Sequence, residues 1–171
     1  MPFDAQPTLA GSLVKLRPLI QSDKSVLHSV AADPLIWEQH PVSNRHTEKE
    51  FEQFFTESIE SRGALLIFDA SSDTVIGSSR FFGFSEEKNE VEIGWTFLAR
   101  SHWGGKHNRE LKQLMLEHAF RFVDTVVFCV DPENLRSQRS VEKIGGVRDA
   151  NLDNKGRVVY RVQKSEFGFG Q

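Results

Sequence analysis

The stretch Trp95-Thr-Phe-Leu-Ala-Arg-Ser-His-Trp-Gly-Gly-Lys-His-Asn-Arg-Glu-Leu-Lys-Gln-Leu-Met-Leu-Glu-His-Ala-Phe-Arg-Phe122 decides the fold. A strand enters from Glu90 and runs to Leu98. Val91, Ile93, Trp95 and Phe97 alternate with Glu90, Glu92, Gly94 and Thr96, so each set is expected on its own face. A loop from Ala99 to Asn108 carries Gly104 and Gly105, and a helix follows to about Val123 with a stripe of Leu111, Leu114, Met115, Ala119 and Phe122. The first N–H groups of a helix lack intrahelical partners and carry partial positive charge. A flexible glycine loop leading into such an end is an anion site of the kind that takes phosphate. Lys106 and His107 add charge and donors. A plain glycine turn before a helix fits the same residues.

Upstream of this stretch, Leu13 to Leu19 reads as a half-buried strand that Pro18 sends to a sheet edge. Asp23 opens a short helix with Val26, Leu27 and Val30 on one face, and Asp33-Pro34 ends it. Thr47 caps a second helix, striped by Phe51, Phe54, Phe55 and Ile59 and closed by Gly63. Strands follow at Leu65 to Phe68 and Thr74 to Phe84. Downstream, Thr125 to Val130 is a β-branched strand, and a helix spans about Asn134 to Ile144. Gly146 to Leu152 and Val158 to Lys164 then form strands around a turn at Asp153 to Gly156. The order β α α β β β α β α β β predicts a mixed α/β (α+β) sheet rather than a doubly wound one, with about seven strands and four helical segments. One domain over residues 1–171 is expected, with 1–11 and 165–171 as loose tails.

Composition excludes several classes. The net charge is -3 with acids and bases interspersed, so the sequence carries no electrostatic footprint for nucleic acid. No apolar run reaches the length of a membrane span, and the start lacks a secretory pattern, so a cytoplasmic protein without membrane contact is expected. The single cysteine, Cys129, forbids an internal disulfide and lies in an apolar run that reads as a buried, inert thiol. The histidines show no ligand spacing, so no metal is expected.

The element order from Ser12 to Lys164 resembles the GCN5-related N-acetyltransferase (GNAT) superfamily, in particular its ribosomal-protein N-terminal acetyltransferase branch. The local matches are Leu16-Arg17-Pro18-Leu19, Val91 to Trp95, Trp103 to Glu110, and Asn134 to Ser137 with Glu142 to Gly145. The family's pyrophosphate loop reads Q/R-x-x-G-x-G/A. Aligned by Glu110, its two small positions hold Lys106 and Asn108, and glycine stands earlier, at Gly104 and Gly105. Two readings stay open: a nest formed two residues sooner, or one partly blocked.

The resemblance implies a mostly antiparallel central sheet splayed between its fourth and fifth strands, here Glu90–Leu98 and Thr125–Val130. Acetyl-CoA is the implied co-substrate. Its arm would meet the backbone of Thr96, Phe97 and Leu98, and its pyrophosphate would meet Trp103, Gly104, Gly105, Lys106, His107 and Asn108. Asn134 and Ser137 would contact the arm. The chemistry is direct acyl transfer to an amine, which needs a base. Glu92 is the first candidate, Glu90 the reserve, and a solvated or ion-paired carboxylate is the alternative for both. The tyrosine acid of many members falls at Val141, so Ser137 becomes the candidate donor to sulfur. Trp37, Phe51, Phe54 and Phe55 fall in the region that shapes the acceptor groove, chiefly as core. A homodimer is compatible with the family. A non-catalytic acyl-CoA-binding module and a nucleotide or phosphate binder remain the alternatives.

Overall fold

A computed structural model of the chain describes residues 2–149 and 156–168. Strands β1 (Leu9–Ala10), β2 (Val14–Pro18), β3 (Ala64–Asp69), β4 (Val75–Ser85), β5 (Glu90–Leu98), β6 (Thr125–Val130), β7 (Val147–Arg148) and β8 (Val158–Gln163) form one sheet in the order β1-β2-β3-β4-β5-β6-β8-β7. Helices α1 (Lys24–Ala31), α2 (Glu48–Ser61), α3 (Lys106–Ala119) and α4 (Leu135–Lys143) cover it. The predicted mixed sheet and helices are therefore present, and the short β1 shifts the predicted fourth and fifth strands to β5 and β6. Every strand pair is antiparallel except β5 and β6. Residues 153–155 of the turn expected at Asp153 to Gly156, and the end of the strand before it, lie outside the described residues.

Two cores sandwich the sheet. On one face Leu16, Ile67, Val91, Ile93 and Val126 pack against Leu111, Met115, Leu116 and Ala119 of α3. On the other, Leu66 and Phe97 pack against Leu27 and Ala31 of α1 and Phe51, Phe54 and Phe55 of α2. Val26, expected on the buried face of α1, is exposed, because Leu27 and Ala31 point inward one position on. Among the described residues before β1, Phe3, Asp4 and Gln6 are held by contacts rather than loose. Phe3 packs on Phe81 and Phe122, the Asp4 carbonyl lies 2.7 Å from His118 Nε2, and Gln6 donates to the Ala64 carbonyl. At the other end the Phe167 ring packs tilted against Phe120, with centroids 5.3 Å apart.

Gly63 does not itself close α2. Arg62 takes the left-handed conformation there, with φ 54°. Gly63 is required instead by close approach: a Cβ would sit 2.0 Å from the Phe81 carbonyl oxygen. Glu110 ties α3 to the start of β2. Its carboxylate accepts from the N–H groups of Ser12, Leu13 and Val14 and from the Ser12 hydroxyl, at 2.6–2.9 Å. Burial alone would raise its pKa, but these donors hold it below the ordinary value.

Candidate functional site

The parallel pair β5–β6 is joined only at Glu90↔Thr125, Val91↔Val126 and Glu92↔Val127. Beyond Glu92 the strands part, β5 staying with β4 and β6 with β8. The resulting wedge opens toward the carboxyl ends of both strands, where crevices of parallel pairs take ligands. A bulge bends β5 at this place. Gly94 pairs with Arg80 but Phe97 pairs with Ser78, and Trp95 stands at φ 53°. The extra residue reverses the alternation. Val91 and Ile93 face α3 as one set, while Trp95 and Phe97 turn to the α1–α2 face, so the four residues expected on one face are divided.

Glu92 lies at the closed end of the wedge. Burial pushes its carboxyl above the ordinary value, against the opposing pull of Arg157, the Cys129 thiol hydrogen bond and Arg80. Cys129 is half-buried and bonded to Glu92 rather than enclosed in apolar core. A carboxylate with a raised pKa is a better proton acceptor. Glu90 is engaged elsewhere, accepting from Arg161 at 2.6 Å.

Of the three β5 residues expected at the wedge, Phe97 packs on Trp37 and Phe54. The Thr96 hydroxyl is shared with Ser79 at 2.7 Å and receives the Lys112 amine at 2.6 Å. The Leu98 carbonyl accepts from Trp103 Nε1 at 2.9 Å. Lys112 was not visible as a site residue. It lies on the buried face of α3 and points between the splayed strands, its Nζ 5.6 Å from the Phe128 ring on β6. Burial lowers its pKa to about 7. The signal was a lysine one residue beyond Leu111 in an otherwise apolar stripe.

The loop is shorter than expected. Helix α3 begins at Lys106, with Gly104 at φ 111° and Gly105 at φ 103° immediately before it. Lys106, His107 and Asn108 therefore form its first turn, and the first helical bond runs from Arg109 N–H to the Gly105 carbonyl at 2.8 Å. The N–H groups of those three residues are the unpaired donors of the helix end. Two consecutive positive-φ residues are strained for any side chain but open to glycine. The early Gly pair thus brings the N–H groups of residues 106–108 to the mouth of the wedge.

Helix α4 lines the other wall. Asn134 caps it, accepting from Ser137 N–H at 3.2 Å, and is buried. Ser137 is half-buried one turn in, and Asn108 donates to the Ser140 hydroxyl across the wedge mouth. Arg136 spans the same mouth, stacked 4.0 Å above the Trp103 ring and donating to the Ile36 carbonyl. Val141 is core, and the Tyr160 hydroxyl donates to Glu142 at 3.0 Å away from the wedge. Beside β6 a cavity of about 430 Å³ is lined by Glu38, Gln39, His40, Pro41, Asp131 and Glu133. Burial, with Arg45 nearby, lowers the His40 pKa to about 4, so its imidazole is neutral there. Asp69, His102 and His107 gather beneath the loop. No helix of the described residues is long and apolar enough to cross a membrane.

A family model described as an acetyltransferase (GNAT) domain matches residues 14–147. A solved structure with a provisional acetyltransferase description is 30% identical over 93% of this chain and 87% of its own, with TM-score 0.76. A GCN5-related N-acetyltransferase from Brucella melitensis is 20% identical over 94% of this chain and 80% of its own, with TM-score 0.76. RimJ of Mycobacterium smegmatis, solved in complex with CoA-disulfide, is 16% identical over 94% of this chain and 88% of its own, with TM-score 0.68. No curated protein sequence matches the chain.

Proposed function

The chain belongs to the GNAT acetyltransferase family, and from that premise we propose that it moves the acetyl group of acetyl-CoA directly to a primary amine, acting as one domain. The family assignment makes the protein an acetyltransferase on a fold that binds acetyl-CoA. The acceptor class and the residue roles are the proposal. The observation that carries it is Glu92, a carboxylate with a raised pKa at the closed end of the β5–β6 wedge. The glycine-led end of α3 stands at the open end.

In this reading the pyrophosphate sits on the N–H groups of Lys106, His107 and Asn108, flanked by Gly104, Gly105 and Trp103. The arm runs along Thr96, Phe97 and Leu98 toward Glu92, with Asn134 and Ser137 on the facing helix. The amine attacks the thioester carbon and Glu92 accepts its proton, directly or through water. Backbone N–H groups freed by the splay stabilise the oxyanion. The collapsing intermediate expels the thiolate, to which Ser137 donates a hydrogen bond in this reading. The acidic cavity of Glu38, Asp131 and Glu133 favours a positively charged acceptor, such as a protein N-terminus or a small basic amine. Action on protein N-termini, which the resemblance to the ribosomal-protein N-terminal acetyltransferase branch implies, is one form of this reading.

The test is a thiol-release assay with acetyl-CoA and a panel of amines and N-terminal peptides. Turnover with at least one amine is expected, falling about 100-fold or more in Glu92→Gln. Tight acetyl-CoA binding with no turnover on any amine would favour a non-catalytic acyl-CoA-binding module, to which the valine in place of the tyrosine acid also points.

A further inference from the structure

Three metal-ligating side chains meet beneath the loop, brought from separate elements. Asp69 ends β3, His102 closes the turn after β5, and His107 stands in the first turn of α3. One ligand atom from each lies within 4.8 Å of the others. Asp69 Oδ2 is 2.7 Å from His102 Nε2 and 3.8 Å from His107 Nε2. We propose that Asp69, His102 and His107 form a binding site for a divalent first-row transition cation, zinc foremost.

The distances suit that role. Zinc holds imidazole nitrogen at about 2.0–2.1 Å, so neighbouring tetrahedral donors stand roughly 3.3 Å apart. The two distances to Asp69 Oδ2 lie on either side of that value, within reach of side-chain rotation. Two imidazoles with one carboxylate select zinc and its neighbours over magnesium or calcium. Outer partners orient the ligands, as they do in metal sites. Asp69 Oδ1 accepts from Ser71 N–H at 2.8 Å and from its hydroxyl at 2.6 Å, leaving Oδ2 to face the histidines. His102 Nδ1 pairs with the Ser101 hydroxyl at 2.8 Å, which leaves Nε2 as the ligating atom. Side-chain exposures of 14–24% shelter the site without sealing it. Three protein donors leave one position open to water or an anion.

A cation here pins the end of β3 and the turn before α3 to the helix's first turn. Its charge then stands beside the N–H groups of residues 106–108, a consequence for acetyl-CoA that rests on the proposed function. The metal site itself does not.

The experiment uses the full chain, stripped with a chelator and free of coenzyme A. Zinc is added and retained ions are counted by native mass spectrometry. Cobalt(II) is added in parallel and its visible absorption recorded. A single retained zinc and a cobalt spectrum of low coordination number are expected. Asp69→Asn keeps the acceptor for Ser71 and removes the ligand oxygen, and His107→Gln removes a half-buried imidazole in the first turn of α3. Each should weaken binding at least about tenfold, since even outer-shell changes cost 10–100-fold, with unchanged metal-free circular dichroism. Affinity should also fall on acidification, because a protonated imidazole cannot ligate. No stoichiometric zinc on the wild type, or equal binding by both variants, overturns the proposal and leaves acetyl transfer standing.

Discussion

Replacing Lys112 with methionine should stabilise the protein, and by more in acid than in base. Lys112 is 4% exposed, and its amine lies between Thr96 of β5 and the Phe128 ring of β6. Its pKa falls from 10.5 to about 7 through burial. At about 1.4 kcal/mol for each tenfold, that fall amounts to ~5 kcal/mol of destabilisation when the amine is charged in both folded and unfolded chains. The sign follows from where the protons are. Above 10.5 the amine is neutral in both states and costs nothing. Between 10.5 and about 7 the unfolded chain holds the proton and the folded one does not, so stability falls as pH falls. Near pH 6 nearly the whole cost is present; near pH 9 about 2 kcal/mol of it remains. Methionine fills similar volume without charge. It forfeits the bond to Thr96, worth about 1 kcal/mol, but Thr96 keeps Ser79 as partner at 2.7 Å. Urea unfolding at pH 6 and pH 9, at equal m-value, should therefore show Lys112→Met gaining about 3 kcal/mol more at the lower pH. An equal gain at both pH values, or a loss at pH 6, would refute the buried, proton-shedding amine.

Two further outcomes follow from carboxylates with opposite shifts. Glu92 has a raised pKa, so the acid limb of kcat/KM should lie above the ordinary carboxylate range, with activity rising as the proton leaves; a pH–rate profile checks this, and the limb should vanish in Glu92→Gln. Glu110 has a lowered pKa, so its stabilisation is full above the ordinary carboxylate range and is lost as pH falls through the depressed value. Glu110→Gln should cost about 2 kcal/mol at pH 7 by denaturant titration, with the gap to wild type closing in acid.

The periodic segments were legible because burial dictated them. The α2 stripe of Phe51, Phe54 and Phe55 and the α3 positions Leu111, Met115 and Ala119 are in the cores where their spacing placed them. What spacing could not carry was the bulge at Trp95. It depends on the register between β4 and β5, a tertiary property, and it moves Trp95 and Phe97 to the other face. Helix α3 starts earlier than its residue types suggest, for a local reason. Lys106, His107 and Asn108 look like loop, yet positive φ at Gly104 and Gly105 lets the helix begin directly after them. Glu92 was legible as a polar residue on its strand, whereas its raised pKa needed the burial that only the packed sheet supplies. The Asp69, His102 and His107 cluster has no sequence signature, because β3 and α3 lie far apart in the chain.

The most direct test of the account is calorimetric titration of acetyl-CoA into the wild type and Gly105→Trp. A tryptophan at φ 103° is strained, and it displaces the start of α3 on which the pyrophosphate reading depends. Micromolar binding to the wild type and little or none to the variant are expected. No binding to the wild type, or equal binding to both, would contradict the account.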